Sequence, residues 1–223
     1  MINKKIIVIS GTIFLLIGIF MNRIHNNRTK TQSGMVIILN GPSSVGKSSI
    51  IKAFQQLNEN PWLSIGIDNF FVGVLPPKFY LEDTPEHHTV MHGIPSIDAQ
   101  GNKVFTLVIG QEGQKVIKGM HRAIAAYAQS GNNVIVDYIN YDPLFINDLK
   151  NTLQGIHVIW IGVHASLESI EQREKARGTS PQGHARSHYA TVHQGINYDL
   201  QLDTDTLTPS ESAQIILDKI INP

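Results

Sequence analysis

The chain has 223 residues, of which 42% are hydrophobic and 16% are charged, so a sizeable core is available and general disorder is excluded. Eighteen basic residues balance eighteen acidic ones, which excludes a broad basic surface for nucleic acid and leaves room only for a local anion site. The sequence contains no cysteine, so disulfides, thiolate metal sites and cysteine nucleophiles are excluded as well.

The first 34 residues differ in composition from the rest of the chain. An uncharged run begins at Ile6 and ends at Met21, with lysines before it and arginines after it. As a helix it would span about 24 Å, short of a ~30 Å hydrocarbon core, although snorkelling lysines or a thin bilayer would close that gap. A signal peptide is disfavoured because no A-x-A cleavage site follows Met21, whereas a single membrane anchor stays open.

A third interpretation starts translation at Met35. Residues 22–34 are polar and linker-like, and Met35 directly precedes the first predicted strand. Residues 1–34 would then not belong to the protein. In every case the domain to explain is residues 35–223.

A phosphate-binding loop follows that first strand. Residues 36–40 form a continuous apolar run, which is typical of a parallel strand buried on both faces. A full G-x-x-x-x-G-K-S match comes next, and apolar residues at helical spacing follow it. This context predicts a nucleoside triphosphate site whose candidate residues are Gly41, Pro42, Ser43, Ser44, Val45, Gly46, Lys47, Ser48 and Ser49.

Each residue type in this loop has a physical role. Gly41 and Gly46 let backbone N–H groups converge on phosphate oxygens at the positive end of the helix dipole. Lys47 supplies a point charge for the β- and γ-phosphates, and the Ser48 hydroxyl is a ligand for Mg²⁺.

Strands and helices alternate along the rest of the domain. Further strands are predicted over residues 62–68, 133–137, 155–163 and 198–203. Helices are predicted over 114–130 and 167–176, after the Asp142-Pro143 start, and after the capping box that begins at Thr208. This alternation predicts a parallel, doubly wound α/β sheet, which binds ligands at the carboxyl ends of its strands.

Two aspartates end predicted strands, so we expect both on the same edge as the phosphate-binding loop. Asp68 there can accept a proton from a substrate hydroxyl and orient it towards the γ-phosphorus. Asp137 ends a strand of Walker-B type, and it could either hold Mg²⁺ through water or contact the substrate.

The pattern lapses over residues 72–110, where prolines and glycines interrupt any long element. The apolar residues of this insertion either line a pocket for a partly apolar substrate or form a capping hairpin. Its histidines, His87, His88 and His92, lack a carboxylate-rich partner set, and we expect them to hold no metal.

A second basic cluster surrounds the break at residues 178–183 and contains Arg173, Lys175, Arg177 and Arg186. One interpretation is a lid that brings arginines to the transferring phosphoryl group, and the alternative is a solvated helix face. Arg177 and Arg186 lie nearest the break and are favoured as lid residues over Lys175.

The sequence resembles the chloramphenicol phosphotransferase-like family of P-loop kinases. The resemblance rests on IILNGPSSVGKSS at residues 37–49, PWLSIGIDNFF at 61–71, VIVDYI at 134–139, VIWIGVHASLESIEQREKARG at 158–178 and VHQGINYDLQLDT at 192–204. It supports Met35 as a domain start, because members of the family typically begin at this strand. The insertion is the part of the domain that least resembles the family.

The resemblance implies a five-stranded parallel sheet flanked by helices, with a lid and a substrate-side insertion. It implies ATP- and Mg²⁺-dependent phosphorylation of a small-molecule hydroxyl, as on chloramphenicol, by a cytoplasmic kinase domain. By motif position Asp68 corresponds to the catalytic base, Lys47 and Ser48 to the phosphate and Mg²⁺ ligands, and Arg173 and Arg177 to the lid.

Two other functions stay open at this point. A kinase of zeta-toxin type would phosphorylate another metabolite or a nucleotide sugar by the same mechanism. A membrane-tethered regulatory switch would bind nucleotide without catalysis, but such a protein has no use for a base at Asp68.

Overall fold

Seven strands form two sheets in the computed structural model, which describes residues 32–81 and 84–222. The strands are β1 (Val36–Asn40), β2 (Trp62–Gly66), β3 (Met91–Ile97), β4 (Lys103–Ile109), β5 (Asn133–Tyr138), β6 (Val158–His164) and β7 (Leu200–Asp203). Helices connect them, and these are α1 (Lys47–Leu57), α2 (Ile67–Phe71), α3 (Lys78–Leu81), α4 (Gln111–Gln129), α5 (Pro143–Thr152), α6 (Leu167–Arg177), α7 (His184–Tyr189) and α8 (Pro209–Ile221).

The main sheet has the strand order β2-β5-β1-β6-β7, and all of its neighbouring strands are parallel. Central strand β1 is buried along its whole length. Ile37 and Leu39 pack on the side of α1 and α8, whereas Val36 and Ile38 pack on the side of α4 and α5. Helices therefore cover both faces, which confirms the predicted doubly wound parallel sheet.

Several predicted boundaries are wrong by two or three residues, and the one at Asp68 matters. Strand β2 ends at Gly66, so Asp68 lies in the first turn of α2 and not at the end of a strand. The Asn69 side chain accepts a hydrogen bond from the Gly66 N–H at 2.7 Å, which turns the chain into the helix. Strands β6 and β7 begin later than predicted, and α4 begins earlier.

The insertion folds into a separate antiparallel hairpin, β3–β4, after the short helix α3 and a 3₁₀ turn at His87–Thr89. In the centre of the hairpin the Phe105 ring packs on Gly93 and occupies the space that a Cβ atom at this position would need. The structure therefore contains a hairpin in this segment, as one of the two interpretations of the sequence predicts.

Residues 33–223 form one compact unit, which contains all the helices and strands given above. The run between Ile6 and Met21, with its membrane and leader interpretations, lies outside the described residues. Within the part of the chain that the structure describes, no helix is long and apolar enough to span a bilayer.

A buried carboxylate fixes the corner between α6 and α7. Glu174 is 2% exposed, and its two carboxylate oxygens accept hydrogen bonds from the Gly183 N–H at 2.7 Å and the Ala185 N–H at 2.8 Å. These bonds satisfy backbone donors that would otherwise be buried without partners. Glu174 therefore determines where α7 begins.

We expect Glu174→Ala to lower the free energy of unfolding by about 3 kcal/mol, because two buried N–H groups lose their acceptor. Glu174→Gln keeps one oxygen, so its loss should be about half as large. Urea denaturation measures both. The exposed Glu168 on the same helix is the control, and its alanine variant should lose less than about 1 kcal/mol. Equal losses at Glu168 and Glu174 would contradict this account.

Candidate active site

The phosphate-binding loop connects β1 to α1. Gly46 has a φ of 106°, a left-handed conformation that favours glycine. The buried Lys47 side chain donates hydrogen bonds from Nζ to the carbonyl oxygens of Gly41 and Pro42, each at 2.9 Å. Burial lowers the pKa of Lys47, and the nearby charge of Asp137 opposes that effect.

Asp137 reaches the phosphate-binding loop from the neighbouring strand, where it lies opposite Leu39 of β1. Its Oδ2 accepts a hydrogen bond from Ser48 Oγ at 2.6 Å, and its Oδ1 lies 3.4 Å from Lys47 Nζ. A hydroxyl and a carboxylate are the hard oxygen donors that Mg²⁺ prefers, and Mg²⁺ commonly binds through one or two carboxylates together with substrate phosphates. The Ser48 and Asp137 oxygens therefore fit a Mg²⁺ ion.

Asp68 faces the same edge of the sheet from the first turn of α2, and its side chain is exposed to the cleft. Partial burial of the carboxyl group raises its pKa, and the negative charge of Asp137 raises it further. The cations Arg177 and Lys47 act in the opposite direction. Asp68 is thus a stronger base than an isolated aspartate.

Two cavities meet beside Asp68. One, of about 660 Å³, is lined by the phosphate-binding loop, Asp137, Arg173 and Arg177. The other, of about 550 Å³, has mostly apolar walls that come from α2, the β3–β4 hairpin and residues 179–181. The residues that line both cavities are Ile67, Asp68, Tyr141, Ser180 and His184. Of these five, Asp68 alone carries a carboxylate, so groups in either cavity can approach it.

The two arginines of the predicted lid motif both line the phosphate cavity. Arg177 donates hydrogen bonds to Ser43 Oγ in the loop at 3.2 Å and to Ser180 Oγ at 2.7 Å. Arg173 donates to the Oγ1 and carbonyl oxygen of Thr204, both at 2.9 Å, and Thr204 Oγ1 in turn donates to the Val45 carbonyl. Arg173 thereby supports the loop from the side of β7.

The prediction for Arg186 is wrong, because Arg186 lines neither cavity. Its guanidinium group is bound instead by the carboxylates of Glu171 and Asp98. Lys175 is exposed to solvent, as the sequence predicts.

Three further site residues escape prediction from the sequence: Tyr141, His184 and His188. The Ser43 N–H donates a hydrogen bond to His188 Nε2 at 3.1 Å, so an imidazole supports the loop backbone. Tyr141 Oη and His184 Nε2 are 3.2 Å apart where the two cavities meet. The signals available were the position of Tyr141 just after the carboxyl end of β5 and the i, i+4 spacing of the two histidines on one helix.

Both histidines are neutral at pH 7. Burial lowers the pKa of His188 to about 3 and that of His184 to about 4, and the charge of Lys47 contributes to both shifts. Neutral His188 keeps a lone pair on Nε2, which is what the Ser43 N–H requires.

None of the insertion histidines lines the phosphate cavity, whereas His92 lines the apolar cavity. The rings of His88 and His92 stack with centroids 4.2 Å apart. Among the residues that the structure describes, no three His, Cys, Asp or Glu side chains are placed to hold a metal ion between them.

Comparison with known proteins identifies the family of this chain. A family model described as chloramphenicol phosphotransferase-like protein matches residues 34–221. The chain belongs to the chloramphenicol phosphotransferase-like family. Two Mycobacterium tuberculosis relatives, from strains CDC 1551 and H37Rv, are provisionally named O-phosphotransferases. Each is 36% identical over 177 residues, which make up 79% of this chain and 77% of the relative.

Solved kinase structures share the fold. The M. tuberculosis APS kinase, determined with AMPPNP and APS, has a TM-score of 0.58 at 16% identity, over 85% of this chain and 98% of that one. A gluconokinase from Sinorhizobium meliloti has a TM-score of 0.53 at 16% identity, over 86% and 95%. These identities establish the fold only. Membership of the family, together with the G-x-x-x-x-G-K-S loop, makes this chain a P-loop kinase that phosphorylates a hydroxyl group.

We expect His188 to make folding stability depend on pH. Its pKa is about 3 when folded, below the ordinary value of 6.5, so the unfolded chain takes up a proton first and stability falls as pH drops from 6.5 towards 3. His188→Gln keeps an acceptor for the Ser43 N–H and removes the titration. The pH slope of the unfolding free energy near pH 5 should therefore decrease by about 1.4 kcal/mol per pH unit.

Urea denaturation of both proteins at several values between pH 7 and pH 4.5 measures this slope. Equal slopes in the variant and the unmodified protein would show that His188 is not held neutral in the folded state.

Proposed function

We propose that this kinase transfers the γ-phosphoryl group of ATP, with Mg²⁺, to a hydroxyl group of a small, largely apolar alcohol of the chloramphenicol type. The observation that carries the proposal is the position of Asp68 at the boundary of a phosphate-lined cavity and an apolar one. In-line transfer needs a base between the two substrates, and Asp68 has that position.

The loop residues bind the triphosphate in this proposal. Backbone N–H groups between Gly41 and Ser49 face its oxygens, and Lys47 leaves its two carbonyl partners to approach the β- and γ-phosphates. Ser48 and Asp137 hold Mg²⁺, which neutralises charge on the phosphate oxygens when bound.

Asp68 accepts the proton of the acceptor hydroxyl as its oxygen attacks the γ-phosphorus. A bond forms between that oxygen and phosphorus, the bond from phosphorus to the β,γ-bridging oxygen breaks, and ADP leaves with the electron pair. The raised pKa of Asp68 makes the proton transfer more favourable, although positioning carries most of the effect in a loose transition state. Arg177 and Arg173 line the phosphate cavity and stabilise the charge that develops on the equatorial oxygens.

The acceptor occupies the apolar cavity. Its volume of about 550 Å³ lies within the range that holds drug-sized ligands, and its walls include Phe71, Met91, Phe105 and Leu107. Such walls favour an aromatic or aliphatic body over the charged, sugar-rich body of a nucleotide sugar. Chloramphenicol is therefore the first acceptor to test, with its 3-hydroxyl as the reacting group. The domain would act in the cytoplasm, where ATP is present.

We expect Asp68→Asn to lower turnover by a factor of ~10² or more and to leave ATP affinity nearly unchanged, because only the proton acceptor is lost. The full chain is incubated with MgATP and chloramphenicol, and the product is identified by mass spectrometry and ³¹P NMR. Asp218→Asn, on the far helix α8, is the matched control and should retain full activity.

Each outcome is informative. A 3-O-phosphoester that is absent from the Asp68→Asn reaction supports acceptor, reaction and base together. Release of ADP without a phosphorylated antibiotic would reject chloramphenicol and direct the search to other alcohols. No consumption of ATP with any alcohol would contradict the proposed reaction.

The pH dependence of kcat/KM provides a further test of Asp68. Since the base must be ionised, activity should fall on the acid side as pH drops through the raised pKa of Asp68. Arg177 lowers that pKa, so Arg177→Met should move the acid limb to higher pH as well as reduce the rate. An acid limb that stays in place or moves to lower pH in Arg177→Met would remove Asp68 from this role.

A further inference from the structure

Arg186 connects three segments that lie far apart in the sequence. Its Nε and Nη2 atoms donate to the two carboxylate oxygens of Glu171 on α6 at 2.6 and 3.0 Å. Its Nη1 donates to Asp98 Oδ2, in the turn between β3 and β4, at 3.2 Å. The side chains of Arg186 and Asp98 are each 21% exposed, so this ion pair is less open to solvent than a pair of fully exposed side chains.

Hydrogen bonds within the turn hold the Asp98 carboxylate independently of Arg186. Its Oδ1 accepts hydrogen bonds from the Gln100 N–H at 3.0 Å and from the Asn102 N–H at 2.8 Å. The Asn102 side-chain amide donates to the same carboxylate. The turn therefore presents a preformed anion to α7, and little side-chain entropy is lost when the ion pair forms.

A backbone contact joins the same segments. The Phe105 N–H of β4 donates to the Gly183 carbonyl at 3.1 Å. Gly183 has a φ of 89°, and a Cβ atom there would lie 2.2 Å from the Lys103 carbonyl oxygen, so only glycine allows this approach. The hairpin thus rests on the corner between α6 and α7.

This corner belongs to both cavities. Thr179, Ser180 and Pro181 line the apolar cavity together with residues of the hairpin. Ser180 Oγ also accepts a hydrogen bond from Arg177, which lies at the end of α6 and lines the phosphate cavity. A displacement of the hairpin relative to α6 would therefore change both the acceptor wall and the partner of Arg177.

We propose that Arg186 is a positioning residue that clamps the acceptor-binding hairpin to the helix that carries Arg177. Through this clamp, an acceptor seated against the hairpin and an arginine aimed at the phosphoryl group are placed together. The inference rests on the proposed function, because it assigns the apolar cavity to the acceptor. A bidentate guanidinium is needed, since a lysine cannot bind both oxygens of Glu171 and reach Asp98 in the same geometry.

The kinetic test compares Arg186→Met, Arg186→Lys and Asp98→Asn with chloramphenicol as the acceptor and MgATP as the donor. For Arg186→Met we expect kcat/KM for the acceptor to fall at least tenfold, through a higher acceptor KM and a lower kcat. Equilibrium binding of a non-hydrolysable ATP analogue without acceptor should stay within twofold. The acceptor kcat/KM of Arg186→Lys should lie between those of the unmodified protein and Arg186→Met. The acceptor kcat/KM of the double variant Asp98→Asn/Arg186→Met should be no lower than that of Arg186→Met alone.

Arg122→Met is the matched control, because Arg122 also pairs with a carboxylate, that of Asp148, on the exposed side of α4. Arg122→Met should leave the acceptor kcat/KM and the affinity for the ATP analogue unchanged. If Arg186→Met instead weakens acceptor and nucleotide to the same extent with a lower Tm, or leaves the acceptor kcat/KM unchanged, the clamp is overturned.

Hydrogen exchange of the full chain tests the clamp without any acceptor. Arg186→Met should accelerate exchange in residues 103–109 and 178–183 together, and leave residues 41–48 as they are. Unchanged exchange in either of the first two segments would overturn the clamp. A wild-type chain that phosphorylates no alcohol would overturn the proposed function, while the exchange result would still decide whether the hairpin and α6 are coupled.

Discussion

The parallel pairing of β1 with β5 is the contact on which the rest of the site depends. Leu39 lies opposite Asp137, so the loop after β1 and the end of β5 emerge side by side. Lys47 and Ser48 thereby reach the same carboxylate. Apolar side chains on both faces of β1 stabilise this arrangement. The free energy gained by burying them offsets the cost of keeping charged groups close together at the edge of the sheet.

Much of the fold could be predicted because its signals are local. The strand, loop and helix around Gly46 are contiguous in the sequence, and continuous apolar runs mark strands that helices cover on both faces. Asp68 was expected at the correct edge although its element was wrong, because β2 determines the edge and the Asn69 side chain only determines where β2 ends. The fold and the family are confirmed, and the chemical roles of the site residues stay predictions.

The remainder of the site depends on contacts between distant residues, which composition and periodicity do not encode. Ser43 and His188 are separated by 145 positions, and Arg186 and Asp98 by 88. An arginine near the lid motif therefore gives no sign of whether it faces phosphate or a carboxylate. Arg177 donates to Ser43 of the loop, whereas Arg186 donates to the Glu171 carboxylate on α6. Only the packing of α6 against α7 decides between these directions.

The β3–β4 hairpin is a sheet of its own, and it is not hydrogen-bonded into the five-stranded sheet that carries the phosphate-binding loop. Side chains such as Met91, Phe105 and Leu107 can change there without opening a cavity in the main core. Under the proposed function, a substitution in this ribbon alters the wall of the acceptor cavity and leaves the strand that carries the phosphate-binding loop untouched. The size and shape of the acceptor cavity can therefore be changed independently of the nucleotide site.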